Sequence, residues 1–124
     1  MNFFIGGVTM QENTVTKEQI EVWKAQYGKV FRTYIDETPI YWRRLKRSEY
    51  KDIMLQTLDD ASSYETNEER TKRAYARQEL VAKTAVLYPE NVDDLIENTA
   101  GFAMSISEEI MDHCGFTVGE SQEL

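Results

Sequence analysis

Between Lys29 and Leu45 the side-chain pattern leaves the helical period, and that break constrains the fold more than any other feature. Lys29 to Ile35 and Ile40 to Leu45 are rich in β-branched and aromatic residues, with Asp36-Glu37-Thr38-Pro39 as the turn between them. Pro39 has no N–H to give a ladder, so it belongs at a strand's start or edge. Phe31, Thr33 and Ile35 share one face of the first strand, and Val30, Arg32 and Tyr34 share the other. Both faces carry apolar groups, so both need a cover. A two-stranded hairpin alone is marginal in water. It must lie on the helices of its own chain or on the edge strand of a partner.

Helical signals flank the hairpin on both sides. Thr16-Lys17-Glu18-Gln19 has the form of a capping box and opens a helix to about Tyr27, with Ile20, Trp23 and Tyr27 on one face. Gly28 follows, where a left-handed residue costs least. From about Arg47 the helical period returns through Tyr50, Ile53, Met54, Thr57, Leu58 and Ala61, and the stretch from Ser62 to Asn67 ends it. Thr66-Asn67-Glu68-Glu69 is a second capping box, predicting a long polar helix to about Tyr88, before Pro89. Its inward face is Ala74, Gln78, Val81, Ala82 and Ala85, with Tyr75 and Val86 beside it. Asn91 is a candidate cap for a short helix through Val92, Leu95 and Ile96. Asn98 or Thr99 is a candidate cap for a last one, with Phe102, Ala103, Ile106, Ile110 and Met111 inward and an end near Gly115. The expected fold is therefore a mostly-α α+β domain: an N-terminal helix, one β-hairpin, then about four helices. Residues 1–15 read as a flexible arm, 16–116 as the single domain, and 117–124 as a mobile acidic tail.

A chain of 124 residues with 41% apolar residues and fourteen aromatics is long enough for one core of modest size. All fourteen Lys and Arg residues lie between Lys17 and Lys83, whereas residues 84–124 hold nine Asp or Glu and no Lys or Arg. A net charge of −8 argues against nonspecific nucleic-acid binding, because phosphates repel the average surface. Cys114 is the one cysteine, so no internal disulfide forms, and nothing points to an oxidising compartment. Met1 to Met10 lacks a basic n-region and is interrupted by Gly6-Gly7, so no signal peptide or membrane span is expected there. An intracellular location follows as the expectation.

No residue group predicts catalysis. Asp112-His113-Cys114 holds the side-chain types of a cysteine hydrolase, but neighbouring helix positions diverge and cannot converge as a triad needs. Cys114 reads as a small buried hydrophobe, and His113 as a residue at a helix C-terminus. Glu108, Glu109 and Asp112 read as a solvated face, since one histidine and no EF-hand glycine accompany them. No cofactor or metal site is expected. Arg43-Arg44-Leu45-Lys46-Arg47, with Tyr41, Trp42 and Tyr50, has a basic-aromatic density that suits phosphates and bases. It equally suits a protein interface, and strand alternation splits Arg43 from Arg44 across the sheet. The predicted partner-binding residues are Tyr41, Trp42, Arg43, Arg44, Arg47 and Tyr50; the basic stretch is directed at an acidic protein surface or at the chain's own acidic C-terminal half, rather than at nucleic acid or membrane. Trp23, Tyr27 and Phe31 are assigned to the core.

Those residues carry a resemblance. Trp23-Lys24, Tyr27-Gly28 and Val30, then Tyr41, Arg43, Leu45, Arg47 and Tyr50, are similar to the start of short bacteriophage tail assembly chaperones. Val81, Leu87-Tyr88-Pro89, Ala100-Gly101-Phe102, Ile106, Ile110 and Gly115-Phe116 extend the likeness through the second half. Three departures stand out: Lys46 where a capping Thr is expected, a hairpin turn without Gly, and His113-Cys114 before the final Gly-Phe. The resemblance implies a non-enzymatic factor in the host cytoplasm that keeps a tail protein soluble before polymerisation. The client would be the tape measure, the tube or a baseplate subunit. It brings no catalytic residues and leaves a homo-oligomer open. Two other classes fit the composition: a structural component of the tail or baseplate, and a small acidic inhibitor of a host enzyme or defence system.

Overall fold

In a computed structural model of the chain, residues 15–58, 66–116 and 118–124 are described. Ala61, most of the predicted break after it, nearly all of the N-terminal arm and Thr117 lie outside them. The elements run α1 (Lys17–Tyr27), β1 (Val30–Ile35), β2 (Thr38–Arg43), α2 (Arg47–Gln56), α3 (Asn67–Ala85), β3 (Val86–Tyr88), α4 (Val92–Asn98) and α5 (Phe102–Asp112). The expected mostly-α α+β class is observed, with the hairpin followed by four helices. One strand was not expected.

The unexpected strand is β3. The predicted long helix stops at Ala85, and Val86-Leu87-Tyr88 pairs antiparallel with β2, giving the sheet order β1-β2-β3. The register joins Tyr41 to Tyr88 and Trp42 to Val86, with an irregularity between Tyr41 and Trp42. Three residues of strand propensity are indistinguishable locally from a last helical turn. Pairing with β2 decides the outcome, and β2 lies more than forty positions away in sequence.

β1 and β2 pair from Val30–Arg43 to Ile35–Thr38, so the loop is only Asp36-Glu37, both at positive φ (48° and 67°). That is the two-residue turn whose twist matches the flanking strands, built here without glycine. Pro39 falls near the start of β2, opposite Tyr34 and outside the β3 pairing, where its missing donor is harmless.

The two faces of the sheet get two different covers. Ile40 and Trp42 join Ile53, Val81, Ala82, Ala85, Val92, Phe102, Ile106 and Ile110 in the main core, with Phe31 and Ile35 packed against it. The other face lies under α1. Trp23 packs on Tyr41 with ring centroids 5.8 Å apart, and Tyr27 lies 4.7 Å beneath the Arg43 guanidinium. Trp23, Tyr27 and Phe31 thus sit half-buried in the fold, as assigned.

Capping follows the sequence at two helix starts and departs from it at three. Thr16 accepts from the Gln19 N–H at 3.0 Å, and Thr66 forms a complete box with Glu69. Asn91 precedes α4 without a side-chain bond, and α5 starts from Gly101 rather than from Asn98 or Thr99. At α2 the cap position is Lys46, whose ammonium has no acceptor to offer. Glu49 supplies half of a box instead, accepting from the Lys46 N–H at 2.8 Å. On α3 the burial is confined to the last turns: Val81, Ala82 and Ala85 are buried, whereas Ala74 and Tyr75 are exposed. Residues 118–124 carry no regular structure and are exposed.

Candidate binding surface

The six predicted contact residues divide into two groups. Tyr41, Trp42 and Arg43 retain 4%, 0% and 9% of their exposure, so they are sealed into the fold and unavailable to a partner. Arg44 and Arg47 are exposed and Tyr50 is half-buried. The correction has a physical reason. β2 is the central strand, so its side chains meet α1 on one face and α3 and α5 on the other.

Trp42 belongs to the core in detail as well as in area. Its indole stacks on Phe31 at 4.4 Å between centroids, and its Nε1–H donates to Thr33 Oγ1 at 2.9 Å. His113, just past the end of α5, packs against both rings at 5.0 and 5.6 Å. Cys114, next in the chain, accepts the Leu45 N–H at 3.3 Å through Sγ. His113 and Cys114 therefore serve different neighbours, and Asp112 is exposed beside them. Among the described residues no group of three or more His, Cys, Asp and Glu is placed to hold a metal ion.

Arg43 is a structural clamp. Nη1 and Nη2 donate to the two carboxylate oxygens of Glu49 at 2.8 and 2.9 Å, the bidentate geometry that guanidinium favours. Nη2 also donates to the Thr84 carbonyl at 3.0 Å, satisfying a group that the end of α3 leaves open. Nη1 reaches the Arg44 carbonyl at 3.1 Å, and Tyr27 covers the guanidinium face. Nε is buried with no partner among the described residues. One side chain thus ties β2 to α1, α2 and α3. The pair shifts both groups: Glu49's hydrogen bonds hold the guanidinium above its ordinary value, and Arg43 holds the Glu49 carboxyl below its own.

The open surface lies on the helical side. A groove of about 270 Å³ runs between α2, α3 and α5, lined by Tyr50, Ile53, Met54, Arg77, Val81 and Met111, with Gln78 and Ser107. A second, of about 340 Å³, lies between α3 and the α4–α5 region, lined by Tyr75, Gln78, Ile96, Ala103 and Met104 among others. Gln78 lines both, so the two grooves adjoin along α3 and are together called the furrow. All three methionines of the described residues (Met54, Met104 and Met111) line it. Methionine is unbranched and polarisable, so it repacks around differently shaped apolar surfaces. Arg77 fixes the far end: Nε donates to Thr57 Oγ1 at 2.7 Å and Nη2 to the Thr57 carbonyl at 3.2 Å, closing the C-terminus of α2. Sequence reading missed this furrow because it is assembled from three helices, none of which carries a motif of its own. The methionines were the available signal.

Among the described residues no helix is long and apolar enough to cross a membrane. No protein-family model, curated protein or solved structure matches this chain.

Proposed function

We propose that this protein is a non-enzymatic assembly chaperone of the bacteriophage tail type. It holds a helical, apolar segment of a tail protein in the furrow over α3 until that protein polymerises. The observation that carries the reading is the placing of Met54 and Met111 with Tyr50, and of Met104 with Tyr75, in two adjoining solvent-open grooves along α3. Helix-in-groove recognition needs such an apolar strip, and an adaptable lining tolerates a repetitive client. The net charge of −8 resists nonspecific aggregation through the open strip. The tail assignment itself rests on the likeness of the Tyr27-Gly28, Arg43-x-Leu45-x-Arg47-x-x-Tyr50 and Gly115-Phe116 pattern. Client contact is reassigned from the β-ribbon to the furrow, with Tyr50 as the residue common to both.

Co-expression with a tape-measure protein and, separately, a tube subunit tests this. Soluble client should rise with the wild-type chain and fall about tenfold when Met54 and Met104 are both changed to Glu, since charge at an apolar anchor typically costs more than 1.4 kcal/mol. A crosslinking residue placed at Met104 should capture the client. Unchanged solubility with the double variant would sink the furrow, and no rise with either client would sink the chaperone role. Finding the chain at fixed stoichiometry in purified tails would favour a structural component instead.

A further inference from the structure

The flank of α2 presents Arg47, Lys51, Leu55 and Leu58 at the spacing i, i+4, i+8 and i+11, one stripe on a helix surface. Leu55 and Leu58 remain 65% and 62% exposed, and Leu58 extends the stripe past the helix end through its N–H to the Leu55 carbonyl. Neither Arg47 nor Lys51 has a carboxylate in ion-pair range among the described residues, although the chain is strongly acidic. Arg44, also exposed and unpaired there, lies three residues ahead of the stripe. Two exposed cations followed by two exposed leucines form an amphipathic face without a cover among the described residues.

Its complement is on the same chain. Residues 118–124 carry Val118 and Leu124, both almost wholly exposed, with Glu120 and Glu123 between them. Seven extended residues reach about 23 Å, enough to run the length of α2, whose ten residues span about 15 Å. Phe116, shortly before this segment, packs on Tyr50 of α2 at 5.0 Å, so the segment departs from beside the stripe. Among the described residues both surfaces are nevertheless exposed.

We infer that residues 118–124 dock on the α2 stripe of a second copy. Running along the stripe, Glu120 and Glu123 meet Arg47 and Lys51, and Leu124 meets Leu55 and Leu58. A two-fold axis that brings the two α2 flanks together lets each copy give its segment to the other, so that one patch type serves both sides. The contact uses the flank of α2, not the furrow, and stands apart from the client reading. Because its charges are exposed, it weakens as salt rises.

Light scattering and sedimentation of the 124-residue chain across a concentration series at low salt test this. The wild type should form a dimer that dissociates on dilution and at high salt. A chain stopped after Phe116 should stay monomeric, as should Arg47→Glu/Lys51→Glu and Glu120→Lys/Glu123→Lys, each weakened about tenfold or more. An equimolar mixture of the two reversed variants should dimerise again, because both segment–stripe contacts then regain opposite charges. Restoration also shows that both variants fold. A monomeric wild type throughout the series overturns the inference. So does a dimer that survives loss of the segment, or a mixture that stays monomeric.

Discussion

Arg43 holds Glu49 through two parallel hydrogen bonds of 2.8 and 2.9 Å, and the same carboxylate accepts the Lys46 N–H that opens α2. The hairpin-to-helix junction is thereby capped from within. Lys46 cannot serve as a capping acceptor, and Glu49, held by the clamp from β2, supplies half of the missing box. The departure at Lys46 costs little for this reason.

Removing either partner should therefore cost more than an ordinary surface ion pair. Arg43→Ala and Glu49→Ala are each expected to lower stability by about 2–4 kcal/mol, since each strands a largely buried group. The double variant should cost clearly less than the two added together, with a coupling of about 1.5–3 kcal/mol. Arg43→Lys should recover little, because an ammonium cannot span both oxygens, the Thr84 carbonyl and the Tyr27 ring at once. Urea denaturation of the wild type and these four variants measures this, and additive losses would show that the pair is not a unit.

The same pair gives a pH dependence with a defined sign. The Glu49 carboxyl titrates below its ordinary value of 4.5 in the folded chain, chiefly through its hydrogen bonds to Arg43. Its contribution is complete above the unfolded value, and is lost as the pH falls through the lower, folded one. Glu49→Gln should thus be less stable than wild type near neutral pH, and the gap should close as the pH drops below about 4.5. The raised Arg43 value lies above any usable pH and opens no window of its own. Urea midpoints of both chains at neutral and acid pH decide it. A gap of constant size would remove Glu49 as the titrating group.

Local chemistry made part of this architecture legible. The cap at Thr16 and the box at Thr66 act over three residues, so they could be read directly, as could the alternation of β1 and β2. What sequence could not settle is non-local. Val86-Leu87-Tyr88 becomes a strand only because Trp42 and Tyr41 are there to pair with it. Tyr41, Trp42 and Arg43 have the composition of an interface hot spot, and the same residue types suit a buried clamp on a central strand. Burial alone separates the two roles, and burial depends on α1, α3 and α5. The furrow has the same origin, since Met54, Gln78 and Met111 meet only after three helices pack.

The hairpin loop offers a change in the stabilising direction. Asp36 and Glu37 both occupy positive φ, where a side chain with a Cβ is strained by roughly 1–2 kcal/mol. Glu37→Gly removes that strain at the second loop position and gives the Asp-Gly pair that two-residue hairpins favour. The added freedom of glycine in the unfolded chain offsets part of the gain. A net increase of about 0.5–1 kcal/mol is expected, or roughly 2–5 °C in Tm. An unchanged or lowered Tm in a thermal melt would show that Glu37 makes a contribution that offsets its strain.

Trp42 and Met104 should separate folding from binding. Trp42 is wholly buried against Phe31 and His113, so Trp42→Ala should cost about 3–5 kcal/mol and lose native near-UV signal. Any loss of client capture in that variant would follow from unfolding. Met104 stands exposed on the furrow wall, so Met104→Glu should change stability by no more than about 0.5 kcal/mol. Capture should nonetheless fall, because the charge sits where an apolar side chain would dock. If the furrow is the working surface, Met104→Glu loses client capture at a nearly unchanged melting temperature, whereas Trp42→Ala loses capture only together with its fold. If Met104→Glu leaves capture intact, the contact lies elsewhere on the molecule, and the exposed Arg44 and Arg47 at the hairpin–α2 junction become the next residues to reverse.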